Sequence, residues 1–226
     1  MLSLYRNYIP LGHPNRRGYK LTSINAIVFH YTANEERDMG DVQTEEYFSR
    51  PFIGSANGQK VFEANGKDSF AYGSAQVIAD EDSVSETMPL DEVAWHVGDS
   101  RIPDGMGGFM QQPAAHIWLR DNPNYRAIGI EICNNANWGL ACENAAQWAI
   151  NYIQTMKFTI NLIASFDPNH GDGVMKQSDV LLLRHYDISG KTCPKPFVDD
   201  IEAWHAYATN ISDRVTAGGS IQINYL

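Results

Sequence analysis

Arg184-His185-Tyr186-Asp187-Ile188-Ser189-Gly190-Lys191-Thr192-Cys193-Pro194 follows directly on the apolar run Val180-Leu181-Leu182-Leu183. The run has the composition of a buried strand. The stretch after it gathers an imidazole, a carboxylate, an ammonium and a thiol, so a sheet delivers reactive groups to its own rim. Cysteine thiolate and neutral imidazole are favoured zinc ligands, and the spacing from His185 to Cys193 lets one loop fold both onto a single ion. A third protein ligand would leave a catalytic fourth position open. His30 is the best source, because it closes a second apolar run, Ile24-Asn25-Ala26-Ile27-Val28-Phe29, and can stand at the same edge of a sheet. A histidine after such a run reads either as a packed core residue or as a ligand, and the His185 to Cys193 stretch favours the ligand.

A third strand supplies a carboxylate. Ile128-Gly129-Ile130-Glu131-Ile132-Cys133 alternates, with the isoleucines on one face and Gly129, Glu131 and Cys133 on the other. Desolvating a charge is costly, so Glu131 is either a paired structural carboxylate or a functional one. Gly129 beside it leaves room that a substrate can use. Ala94-Trp95-His96-Val97-Gly98-Asp99 places a histidine beside a tryptophan at the entry to a long Gly- and Pro-rich loop that reaches Tyr125. Loops of that length line sites or move. His96 is a groove residue or a partner of the loop backbone, and His116 within the loop reads as structural.

The other elements follow from patterning. Residues 1–23 carry Pro10, Gly12, Pro14 and Gly18 and read as an extended lead-in. Asp41 is the expected N-cap of a short helix through Phe48 that Pro51 stops. Residues 51–73 are turn-rich, with a hairpin expected at Asn57-Gly58, and Ala75–Ala79 and Val84–Met88 flank a polar hairpin connection. Apolar positions at Ala145, Ala149, Ile153, Met156, Ile160 and Ile163 predict one long helix from about Cys142 to Phe166, ended by Asp167-Pro168. A last helix is expected over Phe197–Ala208. The expected organisation is one α/β domain over residues 1–215, a central mixed sheet flanked by helices, with 216–226 as a tail or linker.

Composition narrows the partners. The 226 residues carry 17 Lys plus Arg against 27 Asp plus Glu, a formal charge of -10, which excludes a basic nucleic-acid-binding face. No stretch of about 18 uninterrupted apolar residues is present, so no membrane insertion is expected. The start, Met1-Leu2-Ser3-Leu4-Tyr5-Arg6, lacks the basic-then-apolar profile of a signal peptide, which leads to the expectation of a cytoplasmic product released by another agent. The three cysteines, Cys133, Cys142 and Cys193, are too few and too scattered for a disulfide framework.

Five stretches carry a resemblance: Phe29-His30-Tyr31-Thr32-Ala33-Asn34, Pro89 through Trp95-His96-Val97-Gly98-Asp99, Ile128-Gly129-Ile130-Glu131-Ile132, Ala146-Gln147-Trp148, and Ser189-Gly190-Lys191-Thr192-Cys193-Pro194. Together, and in this order over about residues 20–200, they resemble the zinc-dependent N-acetylmuramoyl-L-alanine amidases of the type 2 class. That class shares its fold with peptidoglycan recognition proteins, and the nearest likeness is to catalytic domains of bacteriophage endolysins. The resemblance implies zinc ligands His30, His185 and Cys193, a general base at Glu131, and Lys191 beside the developing oxyanion. Trp95 and His96 stand as candidate substrate-binding residues, with peptidoglycan as the substrate. A departure is Ala75-Gln76, where many relatives carry an aromatic-histidine pair. Two rival readings accompany this one: a non-catalytic binding module of the same fold, and a cysteine peptidase using Cys193, which Pro194 directly after the thiol disfavours.

Overall fold

The computed structural model describes residues 2–33, 40–50, 73–97, 119, 122–134, 137–167, 176–218 and 223–225, and the backbone of strand segments 52–56, 59–64 and 67–69. Three parallel strands stand at its centre: β2 (Ala26–Tyr31), β8 (Ala127–Ile132) and β10 (Asp179–Arg184). β2 pairs with β8 on one side, His30 opposite Glu131, and with β10 on the other, Arg184 opposite Phe29. Their β-branched and leucine-rich composition suits strands buried on both faces. The sheet runs β11-β1-β7-β6-β8-β2-β10-β9. Here β1 is Leu2–Arg6, β6 Val77–Ala79, β7 Val84–Glu86, β9 Thr159–Ile160 and β11 Ile223–Tyr225. β6 and β7 form the expected hairpin and are the one antiparallel pair among its described strands, so the sheet is mixed as the sequence predicts. β3 (Phe52–Ala56), β4 (Gln59–Ala64) and β5 (Lys67–Ser69) make a separate antiparallel sheet with Ala56 opposite Gln59. Asn57 and Gly58 of the predicted hairpin lie outside the described residues.

Alternation along the strands sorts chemistry onto two faces. One face is apolar: Ile27, Phe29, Ile128, Ile130, Ile132, Val180 and Leu182 are buried under α2 (Trp138–Met156) and α6 (Ile201–Ala217). Phe29 meets Trp204 and Tyr207 of α6 edge-on, ring centroids 5.7 and 5.5 Å apart. The opposite face carries Val28, Leu181 and Leu183 under Ile188 of α4 (Tyr186–Ser189) and Ala164 of α3 (Leu162–Phe166), and Ile78 and Cys133 under Phe48 of α1 (Asp41–Ser49). His30, Gly129 and Glu131 belong to this second face by register. Gly40, not Asp41, is the N-cap of α1. The Asp41 carboxylate is buried instead and accepts from the Ser83 and Ser85 hydroxyls at 2.9 and 3.0 Å, which ties α1 to β7.

The structure departs from the local pattern in four places. The helix expected over 142–166 is two helices separated by a strand. α2 stops where Lys157 turns left-handed at φ 58°, and Thr159 and Ile160, both β-branched, pair with Asp179 and Val180 of β10. Met156 and Ile163, placed by periodicity on the buried stripe, are exposed. The final helix is also two, α5 (Lys195–Asp199) and α6, because the Asp200 side chain accepts from the Ala203 amide and starts a new N-terminus. The N-terminal lead-in contains β1, since Leu2 and Leu4 are buried and its backbone bonds to β7. The stretch 216–226, expected as a tail or linker, contains β11, parallel to β1.

Phe29 joins the central strand to the helical layer, so Phe29→Ala should lower unfolding free energy by about 3 to 5 kcal/mol in urea titration. Ile163→Ala on the exposed side of α3 should change it by less than about 0.5 kcal/mol. Equal losses in the two variants would contradict the assigned core.

Candidate metal centre

β10 delivers His185 to the rim and the chain then turns back on itself. Arg184 pairs with Asp187 at 2.7 Å, and its Nη1 donates to Phe197 O at 2.8 Å, so strand end and loop are clamped together. α4 ends at Gly190, whose φ of 76° is the left-handed conformation glycine adopts most easily. The reversal carries Lys191, Thr192 and Cys193 back over the sheet, and the Tyr186 amide donates to Cys193 O at 2.9 Å. β2 brings His30 to the same rim from the neighbouring strand.

These elements bring His30, His185 and Cys193 together: one ligand-capable atom from each lies within 4.8 Å of the others, and all three residues are buried. His30 Nδ1 stands 3.8 Å from Cys193 Sγ. Nitrogen and sulfur donors at tetrahedral angle about one zinc ion are roughly 3.6 Å apart, given bonds of about 2.1 and 2.3 Å. The donor set, two imidazoles and a thiol, therefore fits a zinc ion in type and in separation. Electrostatics fit as well. Burial, reinforced by His185, His96 and the Lys191 charge, holds His30 well below its usual range and so neutral. Burial and the nearby Glu131 push the Cys193 thiol up to about 12, against a smaller pull from the Tyr31 amide and Lys191. Without a cation the sulfur is a thiol at neutral pH, which is unsuited to nucleophilic attack.

Glu131 lines a pocket of about 360 Å³ beside this cluster, with Tyr31, Thr32, Cys193, Lys191 and, from α1, Thr44 and Tyr47. Its Oε2 is buried without a hydrogen-bond partner among the described residues. Burial raises its pKa to about 7, partly offset by the charge of Lys191. Lys191 is exposed at the pocket mouth. The wall supplied by α1 has no signal in the sequence, because nothing local to Asp41–Ser49 says which strand ends it will face.

His96 and Trp95, the candidate substrate-binding residues, stand away from this lining. Neither is among the described residues lining the pocket. His96 is buried behind His30, its Nδ1 3.0 Å from His30 Nε2, and burial lowers its pKa to about 4. The space beside Gly129, expected to admit substrate, is filled by the His96 ring: a Cβ there would lie 2.5 Å from His96 Cγ. Trp95 instead packs with Tyr19 and Tyr125, ring centroids 6.4 and 6.1 Å away. At the departure Ala75-Gln76, Gln76 is wholly buried; its Oε1 accepts from the Gly129 amide at 2.7 Å and its Nε2 donates to Glu92 O at 3.0 Å. His116 lies outside the described residues.

The fold is thus a mixed sheet with helices on both faces, and it carries a His/His/Cys cluster able to hold a metal ion at the rim of its central parallel strands. Residues 20–196 match the family model described as N-acetylmuramoyl-L-alanine amidase, and the chain belongs to that family. It is similar to N-acetylmuramoyl-L-alanine amidase BlyA of Bacillus subtilis (strain 168), 26% identical over 216 residues that cover 95% of this chain and 48% of BlyA. It thus spans about half the length of that curated relative. Its fold is that of the catalytic domain of XlyA, with TM-score 0.56 and 23% identity over 91% of this chain and 98% of that one. It is also that of Staphylococcus aureus hydrolase AmiA, with TM-score 0.59 and 15% identity over 95% of this chain and 84% of AmiA.

The raised pKa of Glu131 has a consequence for the metal-free protein. Between its ordinary value of 4.5 and about 7 the carboxyl ionises in the unfolded chain while staying protonated in the fold. Its stabilising contribution is therefore present at low pH and lost as pH rises through that window. His30 and His96 act in the opposite sense, but equally in a Glu131→Gln variant. Chelated Glu131→Gln should match chelated wild type in urea titrations at low pH and exceed it above pH 7 by on the order of 3 kcal/mol at most. A difference that does not change with pH would show that the carboxyl is not desolvated.

Proposed function

We propose that this chain hydrolyses the amide between the lactyl group of N-acetylmuramic acid and L-alanine in peptidoglycan, using zinc held by His30, His185 and Cys193. The observation that carries the reading is Glu131: a half-buried carboxyl with one oxygen that has no partner among the described residues, facing a pocket beside the His/His/Cys cluster, in a chain of the amidase family. Held by these three residues, a zinc ion would supply Lewis acidity, the chemistry that lowers the pKa of a water and polarises a carbonyl. Glu131, with a pKa of about 7, is matched to take a proton from the attacking water and return it to the leaving nitrogen. Lys191, at the pocket mouth, offers its ammonium to the carbonyl oxygen as negative charge develops, a contribution worth about 3 kcal/mol in comparable sites.

The relatives named above support an enzyme rather than a binding module, and Cys193 within the cluster agrees, since a module without catalysis has no need of a third ligand. The thiol's raised pKa weighs against a cysteine peptidase. The biological role we favour is a phage endolysin that reaches the wall after release. Among the described residues no helix is long and apolar enough to cross a membrane.

Digestion of purified cell wall should release stem peptides with new L-alanine amino ends and no new reducing sugars. New reducing ends would instead make this a glycosidase. Cys193→Ser and His185→Ala should lose zinc, measured by elemental analysis. Glu131→Gln should keep zinc while losing about 10²- to 10⁴-fold in rate. Full activity in Glu131→Gln would remove it as the base, and loss of zinc in that variant would make it a support of the metal instead.

A further inference from the structure

His96 has no place in the pocket, yet its surroundings are built around it. Asn124 Oδ1 accepts the backbone N–H groups of His96 and Val97, each at 3.0 Å, and Asn124 Nδ2 donates to Val97 O at 3.2 Å. The His96 segment is thereby fixed to the short 3-10 turn Pro123–Tyr125. Beneath the ring, Gly129 leaves no space for a side chain: a Cβ would stand 2.5 Å from His96 Cγ and 2.7 Å from Nδ1. Backbone and ring are both constrained.

Among the described residues, the polar contacts of a neutral His96 ring fit one proton assignment. His96 Nε2 faces Ala127 O at 3.4 Å, and a carbonyl can only accept, so Nε2 carries the hydrogen. In a neutral imidazole the other nitrogen is then an acceptor, so His30 Nε2, 3.0 Å from His96 Nδ1, is the donor. A neutral His30 protonated at Nε2 has its lone pair on Nδ1. That is the nitrogen 3.8 Å from Cys193 Sγ.

We infer that His96, held by Asn124 and Gly129, is a positioning residue that fixes the tautomer and rotation of His30 so that Nδ1 presents its lone pair to the metal. The inference rests on the zinc reading given under Proposed function, and it reassigns His96 from substrate contact to support of a ligand. An outer partner of this kind orients the imidazole and raises its basicity, and its loss typically costs about 10- to 100-fold in metal affinity.

Imidazole nitrogen NMR on the unmodified, metal-free protein should find both His30 and His96 protonated at Nε2. A His30 protonated at Nδ1 would overturn the inference without any variant being made. In chelator competition, His96→Ala, with folding checked by circular dichroism, should bind zinc about 10- to 100-fold more weakly than wild type. The visible bands of its cobalt form should shift. His96→Gln, whose amide oxygen can accept from His30, should recover part of the loss. Gly129→Ala, which changes no ligand but displaces the ring, should resemble His96→Ala. Wild-type affinity and cobalt spectrum in His96→Ala would overturn the proposal while leaving the metal reading intact. A wild-type protein that takes up no zinc would instead overturn the metal reading, and the tautomer measurement would then decide the His30–His96 arrangement alone.

Discussion

The structure depends on the parallel pairing of β2 between β8 and β10. Because side chains alternate across a strand, register decides which residues share a face and at what height. His30 opposite Glu131, with Arg184 opposite Phe29, sets three rim residues from three distant parts of the chain at one level of one face. A slip of one residue would send His30 into the helical layer and Phe29 into the site. The alternative is disfavoured by the aromatic packing of Phe29 on Trp204 and Tyr207 beneath the sheet. Core packing and site chemistry are thus two faces of one constraint.

On the site face, burial does the electrostatic work. Low local polarity disfavours charge on every group, so His30 is held neutral, Cys193 is held as a thiol and Glu131 is kept half-titrated near neutrality. Such a cluster is costly by itself, since several polar atoms are withdrawn from water. A divalent cation held by His30, His185 and Cys193 would change the sign of the balance, since it would favour the thiolate and take up the lone pairs of the neutral imidazoles. The ammonium of Lys191, at the pocket mouth, moderates the Glu131 shift without being buried itself.

A second layer keeps these groups in place. Gln76 bonds the Gly129 amide and the Glu92 carbonyl, locking β8 against the segment that leads to Trp95 and His96. Gly129 and Asn124 together set His96, and His96 meets His30. Arg184, bonded to Asp187 and to Phe197 O, and the Tyr186 amide on Cys193 O perform the matching service for His185 and Cys193. Rigid strands with bonded neighbours hold a reacting constellation more closely than loops alone can.

The two apolar runs, the alternation of the Glu131 strand and the chemistry of the His185–Cys193 loop were legible because each is local: a strand's period and a loop's donor types depend on a few consecutive residues. The amidase family was legible because its motifs recur in order along the chain. Tertiary structure alone decided the rest. Thr159-Ile160 leaves helical periodicity for a strand partner twenty residues onward, and the short Leu2–Arg6 and Ile223–Tyr225 segments become strands only because each finds an edge to pair with. Likewise, no pattern around Gly129 says that its missing side chain makes room for an imidazole rather than a substrate. The sequence by itself determined which groups are available for chemistry; only the packing of distant strands decided which of them meet, because a contact across the fold is set by register and burial that no local stretch contains.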